Sequence, residues 1–187
     1  MKKDLLFHLL PSAIVFVTVS LIWVIFRVPN LEIIYLFTGL LLGTFFLDID
    51  HIIYWFYRKP NTDESRIVQA VVEKKDFKSL YRLIKAARRS HDNLIFHHYF
   101  FQIGLTLISF FIFSSSSNIL ILSFLLSMNL HLLIDEIKDY FNNPKFLQDW
   151  LFAREEKQLP LRFLKNYLTV FIILFFIFLF LLVKSKT

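Results

Sequence analysis

The sequence has no cysteine in its 187 residues. That absence excludes a disulfide framework, a Cys-ligated zinc and a thiol nucleophile, and leaves histidine and carboxylates to carry any metal or acid–base work. It also removes the usual indicator of redox compartment. Also missing are an internal repeat, a segment whose composition marks a separate soluble domain, and a small-x-small cleavage site behind the first apolar run. What the chain does have is apolar side chains. Hydrophobic residues make up 56%, 24 residues are Phe, and the mean hydropathy is +0.56. Soluble domains run at roughly 45–50% apolar and disordered chains far lower, so neither class fits. The expected fold is all-α, a single helical membrane domain over residues 1–187.

A crossing helix needs about 20 mostly apolar residues, somewhat fewer where it ends in a polar site. Five stretches qualify as spans: 5–26, 31–57, 94–113, 119–134 and 167–183. The first follows Lys2 and Lys3, as a signal peptide would. It continues for 22 residues, Leu5 to Phe26, about twice a usual signal core, and is expected to stay as a helix.

Charge in the connections sets the orientation. Arg58 to Asp92 holds ten Lys/Arg and Glu136 to Lys165 six more, whereas the SSSSN connection (Ser114 to Asn118) holds none. The positive-inside rule then puts the N-terminus and both long connections in the cytoplasm and the C-terminus outside, in the cell (inner) membrane, against the smaller vote of Lys184 and Lys186. The net charge of +6 is read as topology, with no nucleic acid expected as partner. Between spans two and three, Ser65 to Arg89 repeats Ile67, Val68, Val71, Val72, Phe77, Leu80, Leu83, Ile84 and Ala87 at helical spacing among basic residues. It reads as an amphipathic helix or helical pair on anionic lipid, or as a lid over a site at the inner surface. The spacing does not decide between them.

Ionisable residues inside apolar spans are costly, and by default they are candidate functional groups. In this topology His8, Asp48, Asp50, His51, His97, His98, His131 and Asp135 all lie at one depth, the cytoplasmic ends of four spans. His131 and Asp135 are four apart and Asp48 and His51 three apart, so each pair shares a helix face. Imidazoles and carboxylates gathered in a low-dielectric pocket suffer desolvation and mutual repulsion, and a divalent cation relieves both. Several His favour Zn²⁺, with Mn²⁺ or Fe²⁺ as the other fits. Either two ions bind, or some of the eight residues support or catalyse. Asn129 reads as interhelical glue and His91 as a solvated loop residue.

These residues resemble a known family. An N-terminal His in the first helix (FHLLPSAI, His8), an aspartate-rich helix end (FLDIDHIIYW, Asp48, Asp50, His51), a His at the start of the third helix and a His-x-x-x-Asp (HLLID, His131, Asp135) are similar to the membrane-bound, YdjM-like metal-dependent hydrolases. The likeness covers most of residues 1–140. It implies an integral membrane metal hydrolase related to the zinc-dependent phospholipase C and P1 nuclease group. Two places depart from the family pattern. Leu47 stands where a Pro usually precedes the Asp-x-Asp-His, and RRSHDNLIFHHYF replaces a His-Arg-x-x-Thr-His-Ser segment with His91, His97 and His98. A helix starting near Asn93 would set His97 and His98 on different faces, and His98 is preferred as ligand because Gln102, one turn on, would hold it.

The expected metal ligands are therefore His8, Asp50, His51, His98, His131 and Asp135, with Asp48 as the general base. The expected activity is hydrolysis of a phosphate ester or other lipid-linked substrate at the cytoplasmic membrane surface, with membrane lipids as partners. The alternative is a metal-binding membrane protein without catalysis, such as a divalent-cation carrier or a structural subunit. A carrier would be expected to place its ligands near the bilayer midplane among internal repeats.

Overall fold

Helix limits in this chain are set by a few capping residues. The computed structural model describes residues 2–87, 94–153 and 155–186, the side chains of residues 2–8, 85 and 87 excepted. Its elements are α1 (Lys2–Ile25), α2 (Asn30–Phe46), α3 (Ile49–Ile53), a π-helical turn (Tyr54–Arg58), α4 (Asp63–Glu73), α5 (Phe77–Ala87), α6 (Tyr99–Ser115), α7 (Ile119–Asn142), α8 (Pro144–Leu151) and α9 (Leu161–Lys184). No strand occurs among the described residues. Arg27 turns left-handed (φ 57°) after α1, a conformation that costs a non-glycine residue about 1 kcal/mol, and so reverses the chain into α2. Thr62, Asn118 and Asn143 cap α4, α7 and α8 by accepting the Ser65, Ile121 and Phe146 amides.

Three helices are long and apolar enough to cross a membrane: Asn30–Arg58 taken as one, Ile119–Asn142 and Leu161–Lys184. Leu9–Ile25 and Tyr99–Ser115 are shorter apolar helices. The expected runs differ from the elements in several ways. The run 31–57 breaks at Leu47 and Asp48, where Asp50 and His51 donate back only three residues, to the Leu47 and Asp48 carbonyls. The run from 94 becomes helical only at Tyr99. The run expected to stop at 134 continues to Asn142, because Asp135 and Glu136 are both buried rather than turned to solvent. The helix α8 has no counterpart among the expected elements, and the run expected from 167 is helical from Leu161; the amphipathic connection is a helical pair, α4 and α5, one of the forms expected for it.

The centre of the bundle is α7, packed by α1, α2, α6, α8 and α9, and it is largely buried where α9 is mostly exposed. Its tightest partner is α2. A Cβ on Gly39 would strike Ser123 Oγ and lie 2.5 Å from the Leu120 carbonyl, and one on Gly43 would strike the Phe124 carbonyl and lie 2.7 Å from Ser127 Cβ. Glycine here lets two backbones meet, the small-residue packing by which helices associate in lipid. The contact brings hydroxyls together: Ser127 Oγ donates to the Leu40 carbonyl at 2.7 Å, Thr44 Oγ1 lies 3.0 Å from Ser127 Oγ, and Ser12 Oγ of α1 lies 2.8 Å from Thr44 Oγ1. Asn129 donates to Ser109 Oγ at 3.0 Å and so joins α7 to α6, the glue role expected for it. At the end remote from these ionisable residues, Trp23 Nε1 donates to the Val183 carbonyl and Lys186 pairs with Glu32 at 2.8 Å.

Candidate metal centre

The break between α2 and α3 builds one wall of the site. Because α2 ends at Phe46, the Thr44 carbonyl is among the last four that a helix leaves without an intrahelical donor. His131 Nδ1 donates to it at 2.6 Å. A carbonyl only accepts, so this bond fixes the proton of a neutral His131 on Nδ1 and the lone pair on Nε2. That Nε2 faces Asp135 Oδ2 at 3.3 Å, one turn along α7. A bare lone pair against a carboxylate oxygen is repulsive, and a proton or a cation between them removes the conflict.

Beyond the break, α3 carries Asp50 inward. Its Oδ2 accepts the Phe96 amide at 2.5 Å and lies 3.5 Å from His97 Nδ1, which ties residues 94–98 to α3 before α6 begins. The other nitrogen of His97, Nε2, is 3.8 Å from Asp135 Oδ2. With Nδ1 donating to Asp50, Nε2 also presents a lone pair to Asp135. One imidazole thus stands between two carboxylates from separate parts of the chain. His97, His131 and Asp135 are all buried, each offering one donor atom, and these atoms lie within 4.8 Å of one another. An ion with bonds of about 2.0–2.1 Å in tetrahedral array needs donor separations of about 3.3 Å, so the His131–Asp135 edge already fits and the wider edges would draw in on binding.

The donor chemistry suits a divalent cation in a second respect. Metal-ligating histidines usually donate their other N–H to a carboxylate or carbonyl, which fixes ring and tautomer. Thr44 does this for His131 and Asp50 for His97. The other oxygen of Asp50, Oδ1, is buried and meets no hydrogen-bond partner of good geometry among the described residues. Two His and one Asp also leave a fourth position open, as in catalytic zinc sites. Trp150 of α8 covers the group from the connection side, its ring 6.1 Å from that of His97 and its Nε1 donating to Asp139 Oδ2 at 3.1 Å.

The expected residues are distributed as follows. His131 and Asp135 stand in the group, and Asp50 stands directly behind it. His51 is buried, its ring 6.1 Å from His97, but outside the 4.8 Å group. Asp48 sits half-buried in the turn between α2 and α3, within electrostatic reach of His131. His8 belongs to α1, and its side chain lies outside the described residues, as does His91.

The preferred histidine differs: the structure places His97, not His98, among the donors. His98 caps α6 by accepting the Phe100 amide at Nδ1, so the helix starts later than expected and both facings change. Gln102 does not hold His98 by its side chain. Its amide donates to Glu136 Oε2 at 3.1 Å and its carbonyl accepts from the Tyr167 hydroxyl.

Sequence reasoning missed three participants. Thr44 acts through its backbone, which has no sequence signature. Trp150 is carried in by α8, whose Asn143-Pro144 start is a cap-plus-proline signal that could have been read. Glu136 was counted with the polar connection, although it is 1% exposed and held by Gln102. No protein-family model, curated protein or solved structure matches the chain, so the site stands on its own geometry.

Proposed function

We propose that the protein is a membrane-bound, metal-dependent hydrolase with its centre at the cytoplasmic end of a five-span bundle. The observation that carries this reading is the convergence of His97, from the turn before α6, with His131 and Asp135 of α7, the far nitrogens of both histidines being already committed to Asp50 and Thr44. In it, the two shorter apolar helices span as well, and α1, α6 and α9 run outward while α2 and α7 run inward. Zinc is the first choice of ion, manganese or iron the next. A divalent cation held there would supply a water of lowered pKa and polarise the oxygen under attack.

The chain's own contribution is positional. Asp50 and Thr44 hold the imidazoles, Trp150 limits water, and Asp48, half-buried at the edge, would take a proton from the attacking water. A substrate reaching this end of the bundle comes from the headgroup layer, which favours a phosphate ester or other lipid-linked molecule. The resemblance to the YdjM-like hydrolases supports the same reading.

One observation favours the rival, a cation carrier: the helix Asn30–Arg58 is broken beside the donors, and carriers use broken helices at their sites. Against it, His97 stands just ahead of α6 and the sequence holds no internal repeat of the kind carriers are built on. Metal analysis of detergent-purified protein tests the centre. Stoichiometric metal in the native chain and its loss in a His131→Ala, Asp135→Ala double variant are expected. Hydrolysis of a chromogenic phosphodiester by the native chain alone then separates enzyme from carrier. Absence of metal in a chelator-free preparation would overturn both readings.

A further inference from the structure

The α4–α5 hairpin has two unlike sides, and the metal centre uses neither. Its inner side is partnered: Val68, fully buried, and Leu80, Leu83 and Ile84 close on Tyr54, Trp55 and Leu94. Its outer side leaves Ile67 55% exposed and Phe77 75% exposed, next to a π-turn whose Tyr57 is 81% exposed. Lys74, Lys75 and Lys78 are exposed around Phe77. The turn that carries them is built firmly. Lys75 is left-handed (φ 54°), and Asp76 accepts from the Ser79 amide at 3.0 Å and the Ser79 hydroxyl at 2.6 Å, which starts α5 with Phe77 facing out. Residues 58–92 hold ten Lys/Arg against five Asp/Glu, and the Asp76 carboxylate is already engaged by Ser79.

Large apolar side chains ringed by lysines are poorly suited to bulk water and well suited to the layer between it and lipid. The hairpin rests on the end of Asn30–Arg58, one of the helices long enough to cross, which sets it beside that layer. We propose that the outer side, Phe77 with Lys74, Lys75 and Lys78, is a docking surface for anionic phospholipid headgroups. Phe77 enters the interface and the lysines meet the phosphates. The surface stands independently of the metal centre.

The absence of cysteine makes the test site-specific. A Glu73→Cys variant of the full chain, labelled with an environment-sensitive fluorophore, is placed in nanodiscs of zwitterionic lipid with or without phosphatidylglycerol. Anionic lipid is expected to shift emission to the blue and to protect the probe from aqueous iodide. Reversing the lysines (Lys74→Glu, Lys75→Glu, Lys78→Glu) or replacing Phe77→Ser should remove that response, with helix content by circular dichroism unchanged. Equal emission in both lipids would overturn the proposal. So would a shift that follows protein concentration rather than lipid charge, which would assign the surface to a second copy of the chain.

Discussion

Oδ2 of Asp135 faces the Nε2 atoms of His131 and His97 at 3.3 and 3.8 Å, so this carboxylate is the one that meets both histidines on the side where a cation would sit. Asp135→Asn keeps the shape and removes that charge. Metal retention, read by elemental analysis after gel filtration, should fall below stoichiometric, while Asp149→Asn, on an exposed pair with Lys145, should leave it intact. Asp50→Asn should act more mildly, weakening affinity by roughly 10- to 100-fold, the usual effect of losing a group that orients a ligand. At the periphery, the two bonds from Ser79 hold the Asp76 carboxyl below its ordinary value of 3.8. A lowered folded-state value stabilises α5 above the unfolded value, and the effect is lost as pH falls through the folded one. Protection factors over residues 77–80, which already allow for the slower intrinsic exchange in acid, should therefore fall as the pH is lowered, and Asp76→Asn should flatten that dependence. Residue roles were legible unevenly. The i, i+4 spacing gave His131 and Asp135 a common face, because α-helical geometry alone decides that. The choice between His97 and His98 depended on where α6 starts, and that is fixed by Asp50 holding the Phe96 amide from another part of the chain.

Two glycines decide how closely α2 and α7 approach, and through that whether Thr44 reaches His131. Gly43→Ala would drive its Cβ into the Phe124 carbonyl, which belongs to backbone and cannot swing away. Overpacking of this kind costs about 1–3 kcal/mol, and here it would also lengthen the bond from His131 Nδ1 to Thr44. Unfolding in mixed detergent should show the loss of stability, and metal retention should fall with it. Gly104 on α6 is the control: nothing lies within 4 Å of its Cβ position, so Gly104→Ala should be neutral or stabilising by up to about 1 kcal/mol from helix propensity. Five apolar runs were visible as helices because hydropathy records what a helix must bury. Their breaks and extensions were not. Charged residues stop a hydropathy count, yet α7 runs on through Asp135 and Glu136, both buried, with the Gln102 amide of α6 taking the place of water at Glu136.

On the scale of the whole molecule, the elements around the His97, His131 and Asp135 group share one end with the two long basic connections, whereas Lys186 and Glu32 meet at the other. Reporter fusions at residues 75 and 155 should report cytoplasm and one at Ser116 the outside. Finding Ser116 inside would move the proposed site to the outer face without dispersing it. The enclosure of α7 also bears on how the chain is made. Ser123, Ser127, Asn129, His131 and Asp135 all lie on the helix that its neighbours surround, so α7 in lipid by itself would present its polar column to hydrocarbon. In a membrane-inserted chain α2 would precede it into the bilayer during synthesis, and Gly39 and Gly43 would offer a receiving surface as it emerges. A chain with that surface blocked would commit α7 to the membrane with no partner waiting, and would be expected to meet quality control before α9 could close the bundle.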